Sequence, residues 1–247
     1  MISGSGKILP YNTHEQKSVQ IERMFDSIAE TYDRLNHTLS FHIDKKWREK
    51  GIAFLKPFSP ESILDVATGT GDLAIAMQRE LNPRRIIGID LSEGMMKRGR
   101  DKAAKAGYAS CISFEQQDCL SLTYADNSFD AVTSAFGVRN FDPIEKGIAE
   151  MYRVLKPGGH LMILELSSPW RFPVKQLYTL YSQIIIPYTG RLLSKEKNAY
   201  YYLPESIKAV PQGRDMVDIL RWQGLVDVGV RTFTSGICSL YTGKKDQ

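Results

Sequence analysis

Gly69 and Gly71 flank Thr70 directly after a short apolar run that carries one acid, Ile63-Leu64-Asp65-Val66-Ala67. Glycine has no Cβ, so a turn built on two of them takes positive φ and lets backbone N–H groups come close to a ligand. Alone, such a turn is explained equally well as a tight connection in any α/β protein. Two later acids change the balance. Asp90 closes a second apolar run, Arg85 to Ile89, about 20 residues after the first glycine, where a carboxylate accepts from both hydroxyls of a ribose. Asp118 follows a third run, Cys111 to Gln116, and a carboxylate there accepts from an exocyclic amine such as adenine N6. Three successive strand ends thus offer polar groups to one nucleotide-type ligand, which in open α/β sheets lies along the carboxyl ends of the strands.

The elements that must position these groups are read from periodicity. From Asp72 apolar residues recur every four positions, at Leu73, Met77 and Leu81, so a helix starts where the glycine turn ends. A second helix opens at Ser92, an N-cap residue with Glu93 in the first turn, and its inward face is Met95, Gly99, Ala103 and Ala106. Phe129 to Phe136 reads as a fourth strand. Asp142-Pro143 supplies an N-cap followed by proline at the first helical position, and Ile144, Ile148, Met151 and Leu155 continue one apolar face until Lys156-Pro157-Gly158-Gly159 stops the helix. His160 to Leu166 is strand five. The alternation predicts a parallel sheet with helices on both faces. The tail departs from it: a helix over 212–223 precedes two strands, Leu225 to Phe233 and Ile237 to Thr242, whose short Thr234-Ser235-Gly236 link makes an antiparallel hairpin.

Ahead of the first strand, helical spacing over His14 to Tyr32 and again from about Leu39 to Leu55 predicts two helices. They serve either as a lid or substrate wall over the cofactor edge or as plain packing on the sheet. Tyr32, Asn36 and Trp47 suit a pocket mouth. Between strand five and the last helix lies an insert, Ser168 to Val210, in which Tyr178, Tyr181, Tyr188, Tyr200, Tyr201 and Tyr202 surround Ile184-Ile185-Ile186-Pro187. Substrate cap, homodimer surface and membrane-facing patch are its three readings, with the cap first because the insert follows a strand end that faces the cofactor.

A chain of 247 residues, 43% of them hydrophobic, buries a sizeable core. One domain is expected over 14–247, with a helical cap at 14–57 and the insert at 168–210, behind a polar, flexible N-terminus at 1–13. The net charge of +4 is dispersed, and no basic cluster is interleaved with aromatics, so nucleic acid is the least favoured partner. Cys111, Cys119 and Cys238 are too scattered for disulfides or zinc, and no His/Cys/acid cluster at ligand spacing calls for a metal. With neither a signal peptide nor 18 apolar residues in a row, a cytoplasmic protein is expected.

The blocks FDSIAETYDRLN with LSF and Trp47, LDVATGTGDL, GIDLSEGM, DNSFDAVTSAFGVRN and MYRVLKPGGHLMILELS closely resemble the ubiquinone/menaquinone biosynthesis C-methyltransferases, members of the seven-stranded S-adenosylmethionine-dependent methyltransferases. The resemblance runs from about Val19 to the C-terminus. The glycine loop and the PGG turn are common to the superfamily, whereas FGVRN and the N-terminal block carry the quinone assignment. The resemblance implies an α/β three-layer sandwich, Rossmann-like, with a mostly parallel seven-stranded sheet. It implies that Asp65, Thr68, Gly69, Thr70, Gly71, Asp90, Leu91, Asp118, Cys119 and Ala135 hold S-adenosylmethionine. Gly69 to Gly71 would take the methionine end, Asp65 its amino group, Asp90 the ribose, and Asp118 with Cys119 the adenine. Ala135 stands where the family often has serine, and His42 and Asp44 where it often has glycine and histidine.

The reaction the resemblance implies is methylation of a ring carbon of a prenylated hydroquinone, at the inner face of the membrane. A ring carbon is a weak nucleophile unless a hydroxyl deprotonates as it attacks, and a phenol titrates near ~10, so a group that stabilises the phenolate is needed. Arg139 takes that role, Asn140 the second ring oxygen, and Tyr32 a ring oxygen or the face of the sulfonium. The competing reading of Arg139 is a pair with a structural acid. Other readings of the chain are a methyltransferase for another lipid or small phenol, a nicotinamide enzyme, since Gly69-x-Gly71-x-x-Ala74 fits that fingerprint, and a catalytically idle cofactor-binding subunit.

Overall fold

The computed structural model describes residues 8–11, 13–182 and 197–247. Seven strands form one sheet: β1 (Ser62–Val66), β2 (Arg85–Asp90), β3 (Ile112–Gln116), β4 (Phe129–Ala135), β5 (Leu155–Leu166), β6 (Leu225–Phe233) and β7 (Cys238–Lys245). Their order is β3-β2-β1-β4-β5-β7-β6. The first five run parallel, and β7 enters antiparallel between β5 and β6. The order in which strands are added therefore reverses between β1 and β4, where a crevice opens at the carboxyl ends of the strands.

Every residue of β1 is buried, as a central strand covered on both faces requires. One face is covered by α6 (Ile144–Val154) and α9 (Arg214–Trp222), whose Ile144, Ile148, Met151, Met216 and Leu220 join Leu64, Val66 and Val132 in one core. The other is covered by α3 (Ile43–Leu55), α4 (Asp72–Leu81) and α5 (Glu93–Lys105), which bring Ile52, Leu55, Leu73, Met77 and Met96 against Ile63, Ile86 and Ala131. A third cluster joins α1 (Lys17–Ile28) and α2 (Tyr32–Leu39) to α8 (Lys197–Ala209) through Met24, Ile28, Leu35 and Tyr202. The insert also contributes α7 (Val174–Leu180). Among the described residues no helix is long and apolar enough to cross a membrane.

Four expectations are corrected. The N-terminal cap has three helices instead of two, because Phe41 and His42 take φ of 51° and 59°, a left-handed kink that separates α2 from α3. Helix α6 begins after Pro143, which is extended with ψ 148°, so Pro143 is the N-cap and not the first helical residue. That helix ends at Val154, and Leu155 already pairs with Phe129 before a bulge leads to the Ala131–His160 register. Ala106, expected inward, is the exposed C-cap of α5, and Met96 takes its place in the core. The Ser92 cap is as expected: its hydroxyl accepts from Met95 N at 3.1 Å. Residues 1–7 and 12 of the tail expected over 1–13, the Ile184 to Pro187 cluster and Tyr188 lie outside the described residues.

Candidate active site

The glycine turn is shaped by two different demands. Gly71 has φ 75°, and a Cβ there would sit 2.7 Å from the Phe114 ring, so its role is to let α4 start against β3. Gly71 does not line the cavity beside it. Gly69 has φ 57° with open space where a Cβ would be, and its N–H donates to Asp90 Oδ2 at 2.8 Å. Asp90 Oδ1 accepts from Ser92 N at 3.0 Å, so the carboxylate fixes both the loop and the start of α5 while keeping lone pairs for hydroxyl donors. Burial raises the Asp90 carboxyl above its usual range even against these N–H donors.

These groups line a cavity of about 410 Å³ at the carboxyl ends of the strands, a size that suits a nucleotide cofactor. Of the expected cofactor residues, Asp65, Thr68, Gly69, Thr70, Asp90, Leu91, Asp118, Cys119 and Ala135 line it, together with Tyr32 and Asn140. Asp65 is buried and accepts from Thr68 Oγ1 at 2.6 Å and Thr133 Oγ1 at 2.7 Å. Burial pushes its carboxyl up to about 6, against the pull of those two donors. Asp118 accepts from Leu120 N at 2.9 Å, which turns the chain after β3 so that Cys119 faces the cavity. Burial and the Asp118 carboxylate raise the Cys119 thiol, which stays neutral at pH 7.

Thr70 is less free than its place in the loop implied. Its hydroxyl donates to Asp33 Oδ1 at 2.5 Å, and Lys102 reaches both Asp33, at 2.7 Å, and Asp72. These bonds tie the cap to the glycine loop and to α5. Asp26 adds a second tie, accepting from Ser92 Oγ at 2.5 Å and Gly94 N at 3.0 Å. His37, Asp44 and Asp72 come within ligand distance of one another, but Arg48 bonds Asp44 at 2.5 Å and Lys102 pairs with Asp72, so cations of the chain already occupy the cluster.

A second cavity of about 150 Å³ adjoins the first, and Phe25, Tyr32, Arg48 and Phe136 line both. Its wall is mostly apolar, with Met24, Ile28, Leu35 and Leu39 from the cap and Leu203 and Ile207 from the insert. Its polar groups come from Asn36, Ser40, Asp44, Arg48, Arg139 and four tyrosines. Arg139 opens into this cavity and is only 5% exposed. Its Nη1 bonds Glu165 Oε1 at 3.1 Å and the Phe136 carbonyl, its backbone N–H donates to Glu165 Oε2 at 3.0 Å, and its Nε has no hydrogen-bond partner. The competing reading of Arg139, a pair with an acid, is what the geometry shows, and the paired side chain lines the cavity. Burial works hardest against its charge, but Glu165 together with Tyr32 and Tyr202 outweighs it and raises the guanidinium above its usual range. Asn140 Oδ1 accepts from Tyr202 OH at 3.0 Å, and Trp47 Nε1 donates to Thr234 Oγ1 at 2.9 Å.

Glu165 and Arg48 went unread in the sequence. Glu165 sits in an apolar strand, and an acid in such a setting is the signal that it has a buried partner. Arg48 lies four residues after Asp44, the i,i+4 spacing of a helix ion pair.

The strand order, the glycine turn and the acids at the ends of β1, β2 and β3 define the class I S-adenosylmethionine-dependent methyltransferase fold. A SAM-dependent methyltransferase from Thermotoga maritima shares it, with a TM-score of 0.65 at 16% identity over 92% of this chain and 100% of that one. A phosphoethanolamine N-methyltransferase of Haemonchus contortus, solved with S-adenosyl-L-methionine, matches with a TM-score of 0.58 at 17% identity over 90% of this chain and 60% of that one. The chain belongs to the ubiE/COQ5 methyltransferase family, whose model matches residues 12–245. It is 57% identical to a demethylmenaquinone methyltransferase of Bacteroides fragilis, over 97% of this chain and 98% of the relative. It is 41% identical to a ubiquinone/menaquinone biosynthesis C-methyltransferase of Geobacter sulfurreducens, over 97% of this chain and 93% of the relative.

Proposed function

We propose that this chain transfers a methyl group from S-adenosylmethionine to a ring carbon of a reduced, prenylated quinone precursor, demethylmenaquinol first and a benzoquinol second. The observation that carries the reading is the junction of the two cavities. A polar, acid-lined cavity meets an apolar one along Phe25, Tyr32, Arg48 and Phe136, and the apolar one holds a buried guanidinium.

The residues fit the cofactor. Asp90 is already a hydrogen-bond acceptor at the loop where a ribose would lie, and the cavity above Gly69 has no side chain to fill it. Asp90 would take the ribose, Asp118 and Cys119 the adenine, and Asp65 the ammonium group. Bound there, S-adenosylmethionine supplies an electrophilic methyl group on its sulfonium.

The chain's own part is orientation and electrostatics. Arg139 places a fixed positive charge where the quinol oxygen becomes anionic, and Glu165 holds it in place before the substrate arrives, so little reorganisation accompanies the reaction. Burial pushes the Tyr178 hydroxyl up to about 12 and raises Tyr32 and Tyr202 as well. At neutral pH these tyrosines stay protonated; Tyr32 and Tyr178 serve as donors to ring oxygens, not as bases, while the Tyr202 hydroxyl donates to Asn140. The apolar wall excludes water and orients the ring carbon toward the cofactor cavity.

The prenyl tail leaves between the cap and the insert. There Phe41, Trp170, Phe172, Leu177 and Leu180 are exposed, with Arg171 and Lys175 beside them. Aromatic side chains and cations in such a patch suit the headgroup level of an anionic bilayer, which favours membrane contact over a second copy of the chain as its partner. The experiment that tests the function is methyl transfer to short-tailed demethylmenaquinol and to a short-tailed benzoquinol precursor, with product mass as the readout. Turnover of neither acceptor by cofactor-loaded protein would overturn the reading.

A further inference from the structure

Arg48 has no place in the chemistry above, yet it stands at the junction of both cavities. It projects from α3 with its side chain 11% exposed. Asp44 holds one corner, accepting from Nη1 at 2.5 Å, and the guanidinium lies over the Phe136 ring at 5.3 Å. Nε is buried without a hydrogen-bond partner, and Nη2 makes a looser ion pair with Asp72 at 3.6 Å, beyond hydrogen-bond reach. Asp72 is itself engaged by Lys102. Arg48 is therefore an already oriented guanidinium on the wall of the cofactor cavity with one N–H left unsatisfied, a group that suits a carboxylate ligand.

The charge of the cofactor cavity narrows the choice of ligand. Asp65, Asp72, Asp90, Asp118 and Asp142 line it, and among the described residues Lys17 and Arg48 are its only lining cations. S-adenosylmethionine carries one anionic group, the α-carboxylate of its amino-acid end, beside an ammonium and a sulfonium. Lys17 is buried at the first turn of α1 with Asp142 as its charged neighbour. Arg48 borders the end where Asp65, Thr70 and Asp72 lie.

We propose that the Arg48 guanidinium anchors the α-carboxylate of S-adenosylmethionine, with Asp44 as the residue that aims it. The neighbouring acids, Asp65 and Asp72, would then face the ammonium group, so the zwitterionic end of the cofactor meets a matching pair of charges. The inference rests on the cofactor assignment and is independent of the quinol reading.

The test needs no methyl acceptor. Calorimetric affinities are measured for S-adenosylmethionine and for decarboxylated S-adenosylmethionine, which differ only in the carboxylate, on wild type, Arg48→Met and Arg48→Lys. The expected result is a ~10- to 100-fold loss for S-adenosylmethionine in Arg48→Met, the range of a hydrogen-bonded charge pair. Decarboxylated cofactor should change by no more than about 2-fold, the scatter of uncoupled sites. Arg48→Lys should fall between, for S-adenosylmethionine alone, and thermal melts identify any variant that does not fold. If Arg48→Met fails to fold, Arg48→Lys carries the comparison. Equal loss on both ligands, or no loss on either, overturns the proposal. A wild type that binds neither ligand overturns it together with the cofactor assignment.

Discussion

Arg139 and Glu165 form a buried ion pair across the last turn of the site, Nη1 to Oε1 at 3.1 Å, with side chains 6% and 2% exposed. Glu165 also accepts from the Arg139 and Leu166 backbone N–H groups, so the acid fixes the short helical turn Val138–Asn140 as well as the guanidinium. Removing one member of such a pair leaves an uncompensated buried charge.

Glu165→Gln keeps the shape and removes the charge. It should lower kcat on a quinol acceptor ~10-fold or more, because the guanidinium is no longer held at the developing phenolate. Binding of S-adenosylhomocysteine should stay within about 2-fold, since Glu165 does not line the cofactor cavity. Glu165→Ala should in addition lose ~3–5 kcal/mol of stability in urea unfolding. A kcat unchanged in Glu165→Gln would show that Arg139 needs no orientation from this acid.

Asp65 sets a pH dependence. An aspartate of the unfolded chain titrates near ~3.9, whereas folded Asp65 titrates at about 6. The folded state holds this proton more tightly, so the contribution of Asp65 to stability is full below about pH 4 and is lost as pH rises through about 6. Binding of a cationic ligand runs the other way, because the ammonium group favours the ionised carboxylate. Calorimetry should show affinity for S-adenosylmethionine falling as pH drops below 6, and Asp65→Asn should flatten the part of the profile centred there. A profile identical in the variant would remove Asp65 from cofactor binding.

Asp90→Ala should weaken S-adenosylhomocysteine binding ~10- to 100-fold, because it removes both the ribose acceptor and the bond that holds Gly69 N at 2.8 Å. Asp90→Asn should retain part of the loop contact and fall between. Affinity unchanged in Asp90→Ala would contradict the placement of the cofactor.

The second cavity makes a prediction about substrate length. Leu39→Ala and Leu203→Ala remove apolar bulk from its wall at half-buried positions. Both should reduce kcat/KM more on long-tailed than on short-tailed quinols, and equal losses on both substrates would place the tail elsewhere.

What was legible in the sequence follows from distance along the chain. The glycine turn, the acids at the ends of β2 and β3 and the Ser92 cap are local features, and their chemistry is written within a few residues of each strand end. The kink at Phe41 and His42 was not legible, because left-handed φ is expected at glycine and here falls on two larger residues. Helix α2 was missed for the same reason. Trp47 meets Thr234 across 187 residues, and Glu165 meets Arg139 across 26, contacts that only the packed sheet and cap create. Arg48 carries no signal in the sequence beyond its i,i+4 spacing from Asp44; its two cavities exist only once α3 lies against the glycine loop.

The central claim is tested most directly by methyl transfer from S-adenosylmethionine to a short-tailed demethylmenaquinone, run with and without a chemical reductant and followed by product mass. The account predicts a singly methylated product only in the reduced reaction, where the acceptor ring is electron-rich and its hydroxyl faces Arg139. Equal methylation without reductant would contradict the quinol mechanism, and cofactor binding with no methylated product in either reaction would contradict the substrate.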